Sequence, residues 1–250
     1  MGSARAVRPP GVPARLAAAV LVVACIGGCG AVTDRLPWRA SAGSSGPAAA
    51  GGADGVPAAP GTALAALDAL PVAPFRLVDG YDRDAFGQRW ADVDRNGCDT
   101  RNDVLRRDLA QVGLDPRTRG CVVRTGRLTD PYTGETVAFV RGPQTSPLVE
   151  IDHVVALAAA WRTGAWDWPP PRREEFANDP LNLLATSRAS NQGKAALDAA
   201  GWLPPRAASR CPFVARQVAV KRRWGLTVTP PERTAMRRVL ATCPGVPLPG

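Results

Sequence analysis

Histidine is nearly missing from this chain of 250 residues: there is one, His153. Side chains that titrate near neutral pH are most often histidines, so a general base here has a single candidate. Lysine is almost as scarce, with Lys194 and Lys221 alone. No C-x-x-C pair occurs and the histidine lies far from every cysteine, which excludes the ligand spacing of a structural zinc site. No helix-turn-helix pattern, zinc finger or repeat array is present, so nothing in the chain is built to read a series of bases. The apolar run at residues 16–26 is too short to span a bilayer comfortably, and residues 31–70 contain almost no aromatic side chain.

What is present divides the chain into three parts. Arg5, Arg8 and Arg15, then the apolar run, then Gly27-Gly28-Cys29 read as an export signal over residues 1–28. The small residues before Cys29 match a lipoprotein signal, in which Cys29 is lipidated and becomes the mature N-terminus; Cys25 is a second match. Residues 29–70, rich in Ala, Gly, Pro and Ser, are expected to form a flexible tether, because such a segment buries too little apolar surface to offset its ordering entropy. A domain is expected over residues 71–250. This reading places the protein outside the cell or on its surface, held to a membrane if lipidated.

Four cysteines follow the leader: Cys98, Cys121, Cys211 and Cys243. An even count in an exported chain argues for two disulfides. Of three possible pairings, Cys98–Cys121 and Cys211–Cys243 are favoured, because each brackets a local supersecondary unit. Each bridge would stabilise by roughly 3 kcal/mol. Lys plus Arg number 31 against 22 Asp plus Glu, a net charge of +9. That excess suits a polyanionic partner, although arginine-heavy, alanine- and proline-rich usage also follows from a GC-rich genome.

Within the domain, residues 82–109 are spaced for two short helices. Between them, Asp92-Val93-Asp94-Arg95-Asn96-Gly97 resembles a calcium loop but lacks the closing glutamate, and reads as a polar turn. Residues 121–141 read as a β-hairpin about Asp130-Pro131-Tyr132-Thr133-Gly134. Residues 149–155 and 181–185 are expected strands, 157–162 and 187–200 helices, and 166–171 a loop. Residues 213–224 form an amphipathic pattern, in which Lys221, Arg222 and Arg223 could touch a phosphate backbone. Thr229-Pro230-Pro231-Glu232 opens a last helix with a capping box.

One constellation stands apart. Glu150-Ile151-Asp152-His153 is followed by Asn182 in Asp179-Pro180-Leu181-Asn182-Leu183-Leu184, and then by Asn191-Gln192-Gly193-Lys194. Asp-His, then Asn, then Asn-x-x-Lys is the order of an HNH nuclease core. The chain resembles the secreted bacterial HNH endonucleases, ββα-metal nucleases related to the C-terminal domain of GmrSD-type restriction enzymes. The likeness extends through Gly80-Tyr81-Asp82-Arg83-Asp84, Gly97 to Asp103, Trp202-Leu203-Pro204-Pro205 and Ala215 to Lys221, covering roughly residues 76–243. It departs after Lys194, where Ala195-Ala196-Leu197 replaces an expected glycine and charges.

The resemblance implies an α+β fold, with a ββα-metal core, an added β-hairpin and flanking helices. It makes His153 the general base, Asp152 and Asn191 ligands of Mg2+ or Mn2+, and Asn182 a residue that holds the histidine loop. Lys194 becomes a phosphate or scaffold contact, Arg101 a further arginine at the phosphate, and Glu150 a possible metal contact on the Asp152 face. Neighbouring strand residues point to opposite faces, so Asp152 and His153 need a bend or bulge to face one substrate. The implied activity is hydrolysis of DNA, with RNA as a second candidate, by a monomer with little sequence preference. The alternative is a non-catalytic surface lipoprotein that binds nucleic acid or a wall polyanion.

Overall fold

The computed structural model describes residues 59–250. The expected leader, Cys25, Cys29 and most of the expected tether lie outside the described residues. Thr62 caps the first helix, α1 (Ala63–Asp68), by accepting from the Ala65 amide. Ala63, Ala66 and Leu67 are buried in a cluster that includes Phe213, Val218 and Met236. This corrects the expected boundary at residue 70. A short alanine-rich helix looks like low-complexity chain until a face more than 140 residues downstream is available to cover it.

The polar segment before the next helix contains a 3₁₀ turn, Arg83–Phe86, and the Asp92–Gly97 loop. In that loop Asp92 accepts from the amides of Asn96 and Gly97, and Asp94 accepts from Asn96. Its carboxylates are spent on its own backbone, as a polar turn requires. Asp99 caps α2 (Thr100–Asp108), and β1 (Leu109–Leu114) follows without a connecting residue. β2 (Val123–Thr129) and β3 (Thr136–Val140) complete an antiparallel sheet in the order β1-β2-β3. β1 escapes a sequence reading because its ladder is irregular between Ala110 and Gly113, with Gln111 at φ 54°. That bulge breaks the alternation by which strands are recognised.

β4 (Val149–His153) leads into α3 (Leu157–Arg162) and α4 (Pro170–Ala177), and β5 (Leu183–Ser187) returns antiparallel to β4. The region expected to be a loop is cut short by α4, which starts on two prolines whose fixed φ suits a first turn. Ser187 caps α5 (Arg188–Lys194). This helix stops six residues before its expected end, because Ala195 takes φ 49° and turns the chain away. α6 (Arg210–Trp224) and α7 (Pro230–Leu240) close the fold. The structure is therefore α+β, with two small antiparallel sheets and helices packed around them.

The two-stranded sheet is covered on both sides. Val149, Ile151, Leu183 and Ala185 pack with Leu105 of α2 and Phe139 of β3, while α5 lies against the opposite face. Disulfides join Cys98 to Cys121 and Cys211 to Cys243, with Cα separations of 5.1 and 6.5 Å. The first ties the chain entering α2 to the chain entering β2. The second links the first turn of α6 to the residues just after α7. Each spans the local unit that favoured its pairing.

Lys221, read as a candidate phosphate contact, faces inward instead. It is buried and lies 3.0 Å from the Glu232 carboxylate, while Glu232 also closes the expected capping box with Thr229. Burial lifts the Glu232 carboxyl above its usual range despite the adjacent ammonium. Removing one partner strands the other charge in the core. Glu232→Ala should therefore lower unfolding free energy by about 3–5 kcal/mol in a denaturant titration. The double change Lys221→Met with Glu232→Leu should recover most of that loss.

Candidate functional site

Along β4, Glu150 and Asp152 point to one face and Val149, Ile151 and His153 to the other. The register is regular through Asp152 opposite Leu184 and His153 opposite Leu183, so the expected bulge is absent from the strand. Both residues nevertheless line one cleft of about 260 Å3, together with Asn191, Tyr81 and Arg83. Strand position explains this. His153 is the last residue of β4, and the chain bends at Val154.

The imidazole is aimed by a helix end. His153 Nε2 lies 2.9 Å from the carbonyl oxygen of Ala177, the last residue of α4. A carbonyl only accepts, so Nε2 carries the proton and Nδ1 keeps its lone pair. Burial pushes the His153 pKa down to about 3, so the ring is neutral at physiological pH. A neutral, oriented imidazole on a cleft wall has the form of a general base. α4 is in turn latched to the loop before α2. Gln88 N donates to Glu174, and Asn178 Nδ2 donates to the Gln88 carbonyl. Gly87, at φ 73°, passes so close to Glu174 that a Cβ would collide with its side chain.

Asn182 is fully buried, which removes it from direct work on a substrate. Its Oδ1 accepts from Val155 N at 2.8 Å, its Nδ2 donates to Val155 O at 3.2 Å, and its carbonyl accepts from Val154 N at 2.8 Å. Three hydrogen bonds thus fix the two residues that follow His153. Gln217 of α6 supports the same bend by donating to Val154 O.

Asp152 faces a buried polar group rather than open solvent. Lys194 Nζ donates to Oδ1 at 2.8 Å, and the Tyr132 hydroxyl donates to Oδ2 at 2.5 Å. Lys194 also donates to the His153 carbonyl at 2.8 Å and has no exposed surface. This excludes the expected phosphate contact for Lys194 and leaves the scaffold role. Its side chain runs inward from α5 because the Asp152 charge lies there to receive it. Tyr132 is placed by Asp130, which accepts from the amides of Tyr132 and Ser187. Burial alone would raise the Asp130 pKa, but hydrogen bonds led by Ser187 hold it below the usual range. Sequence reading used Asp130 and Tyr132 only as turn residues; one of just two tyrosines in a turn was the available signal.

Asn191 Nδ2 donates to Glu150 Oε2 at 2.6 Å. A carboxylate only accepts, so the amide nitrogen must face Glu150, and Asn191 Oδ1 is directed elsewhere. Arg188 Nε lies 3.7 Å from the other Glu150 oxygen. Arg101 is not brought to the cleft. Its guanidinium donates to the Val149 carbonyl at 3.0 Å, and burial lowers its pKa. It pins the chain where β4 begins, so its expected phosphate role is corrected. The arginine that does line the cleft is Arg83, exposed beside Tyr81. The segment containing both was visible as a point of likeness, but nothing local marked it as a neighbour of His153.

The donor set fits a hard, hydrated divalent cation. Asp152 oxygens retain lone pairs beyond their two hydrogen bonds, and Asn191 lines the same cleft. Among the described residues no three His, Cys, Asp or Glu side chains converge to enclose a metal.

Residues 99–239 match the family described as the C-terminal domain of GmrSD restriction endonucleases. An uncharacterized secreted protein of Arthroderma benhamiae is 36% identical over 179 residues, covering 71% of this chain and 82% of that protein. No solved structure matches.

The histidine bend yields a direct test. Asn182→Ala leaves the Val155 amide and carbonyl unpartnered inside the protein, at about 1–3 kcal/mol for each group. The variant should melt earlier, and amide exchange at Val155 should quicken more than exchange in α7. Unchanged protection at Val155 would show that Asn182 does not hold this bend.

Proposed function

Because the chain belongs to the family described as the C-terminal domain of GmrSD restriction endonucleases, we propose that it is an exported, metal-dependent endonuclease of the HNH type. The reading is supported above all by one cleft lined by His153, Asp152 and Asn191, with the histidine tautomer set by the Ala177 carbonyl. β4, β5 and α5 would form its ββα-metal core. The substrate is DNA, with RNA as a further class. Among the described residues no element is suited to reading bases, which fits cleavage with little sequence preference.

The chemistry follows from the groups present. His153 Nδ1 takes a proton from water, the water oxygen bonds to phosphorus, and the P–O3′ bond breaks, the departing 3′ oxygen taking a proton from solvent, to leave a 5′-phosphate and a 3′-hydroxyl. Arg83 meets the negative phosphate at the cleft wall. Asp152 and Asn191 Oδ1 would hold the cation, with Glu150 beside them. When bound, a divalent ion supplies charge neutralisation at the phosphoryl and leaving oxygens that the cleft residues lack. Lys194 and Tyr132 keep Asp152 in place, while Asn182 and the α4 carbonyl keep His153 in place.

Export is supported by the leader pattern, by two disulfides and by the secreted description of the fungal relative. Anchorage through Cys29 belongs to the same proposal. A second reading, polyanion binding without cleavage, draws on one observation: both Asp152 oxygens already have partners.

Two measurements separate these readings. His153→Ala should reduce plasmid nicking by orders of magnitude while leaving the fold and DNA affinity nearly unchanged, since no second histidine exists to replace it. Near-normal nicking by a folded variant would refute the assignment. Cleavage should also stop in a chelator and return with Mg2+ or Mn2+. Asp152→Asn, which keeps an acceptor for the buried Lys194 ammonium, should mimic the chelator, and Asn191→Ala should be milder, because a neutral amide holds a cation less strongly than a carboxylate does. Cleavage that persists after exhaustive demetallation would overturn the metal-dependent mechanism.

A further inference from the structure

The cleft has an unusual charge balance for a cation site. Asp152 lines it from β4, Glu150 lies two residues earlier on the same strand face, and each is already close to a cation. Asp152 is paired with Lys194 at 2.8 Å, and Glu150 lies 3.7 Å from Arg188. Arg83 adds a further positive charge to the wall, and among the described residues no other charged side chain lines the cleft. The neighbouring Asp130 is spent on the amides of Tyr132, Thr133 and Ser187. Counting Asp152, Glu150 and Asp130 against Lys194, Arg188 and Arg83, the charges cancel, so the site offers a cation no net negative charge before any substrate enters.

A divalent cation placed there meets repulsion from Lys194, Arg188 and Arg83 as well as attraction from Asp152. A phosphodiester reverses that balance, since its negative charge can lie between the cation and Arg83. We infer that metal binding depends on the substrate: the cleft takes up its divalent ion together with a nucleic-acid phosphate and holds it poorly alone. Lys194 is the residue that sets this dependence. Its ammonium is buried, it cannot swing away into solvent, and it touches the carboxylate that would ligate the ion. This rests on the metal-dependent nuclease reading above. It adds an order to the assembly of the site, in which the free protein outside the cell need not carry its metal.

The test reads metal binding directly. The full chain with His153→Ala, which prevents cleavage, is titrated with Mn2+ while the free ion is followed by electron paramagnetic resonance. Titrations run with and without a DNA oligonucleotide. The variant carrying both His153→Ala and Asp152→Asn, with the same oligonucleotide, measures Mn2+ held by the DNA itself.

Above that background, DNA should tighten Mn2+ binding by about 5- to 150-fold, the usual range of coupling between two ligands. By reciprocity Mn2+ should tighten oligonucleotide binding by the same factor, which fluorescence anisotropy measures. Adding Lys194→Met should raise Mn2+ affinity in the absence of DNA and shrink the coupling. Should that variant fail to fold by circular dichroism, the comparison with and without DNA on His153→Ala alone decides the matter. Equal Mn2+ affinity with and without DNA overturns the inference and leaves the nuclease reading standing. No Mn2+ binding above background in either titration overturns both.

Discussion

The Asp152 carboxylate, buried between the Lys194 ammonium and the Tyr132 hydroxyl, is the interaction on which the rest of the site depends. Through it β4, α5 and the turn between β2 and β3 meet at a single charged group. An isolated buried carboxylate would be prohibitively costly, and these two donors make its position tolerable. Each partner then transmits a constraint. Lys194 also grips the His153 carbonyl, so the backbone of the histidine is held from α5 while its ring is held from α4. Tyr132 carries Trp202 and Phe213 against its ring, which binds the polar site to the apolar core around α6.

Much of the chain's arginine content works inside the fold. Arg107 donates to the carbonyls of Pro180 and Leu183, and Arg216 donates to those of Pro180 and Leu181. Arg101 serves the Val149 carbonyl at the start of β4. These residues satisfy backbone acceptors where a two-stranded sheet has no third strand to do so. The planar fork of a guanidinium suits that task better than an ammonium would. A net charge of +9 therefore overstates the positive surface offered to a polyanion, and part of what composition suggests about binding is structural.

Several elements were legible because they are local. The capping box at Thr229 and Glu232, the hairpin about Asp130 to Gly134, and the strand carrying Asp152 and His153 follow from residues close in sequence. The same holds for the disulfide pairing, which needed only the units that each pair brackets. α5 was read too long because its alanines favour a helix. The turn at Ala195 contradicts that propensity, and it follows directly on the residue whose side chain is drawn inward to Asp152. β1 was missed for the opposite reason, since a bulge hides a strand whose partner is set by the hairpin.

The sequence by itself determined which groups the proposed site draws on: one histidine, the aspartate before it, and two asparagines in a fixed order, of which Asn182 holds the chain in place. Chemistry limits a general base near neutral pH to few side chains, and the chain has one histidine. Tertiary structure alone decided how each group is presented. Ala177 settles which imidazole nitrogen keeps its lone pair, Glu150 which way the Asn191 amide faces, and Lys194 whether Asp152 stands exposed or paired. It also replaced Arg101 by Arg83 at the cleft. Side-chain identity is a local property, whereas protonation, charge balance and access depend on neighbours brought together from distant parts of the chain.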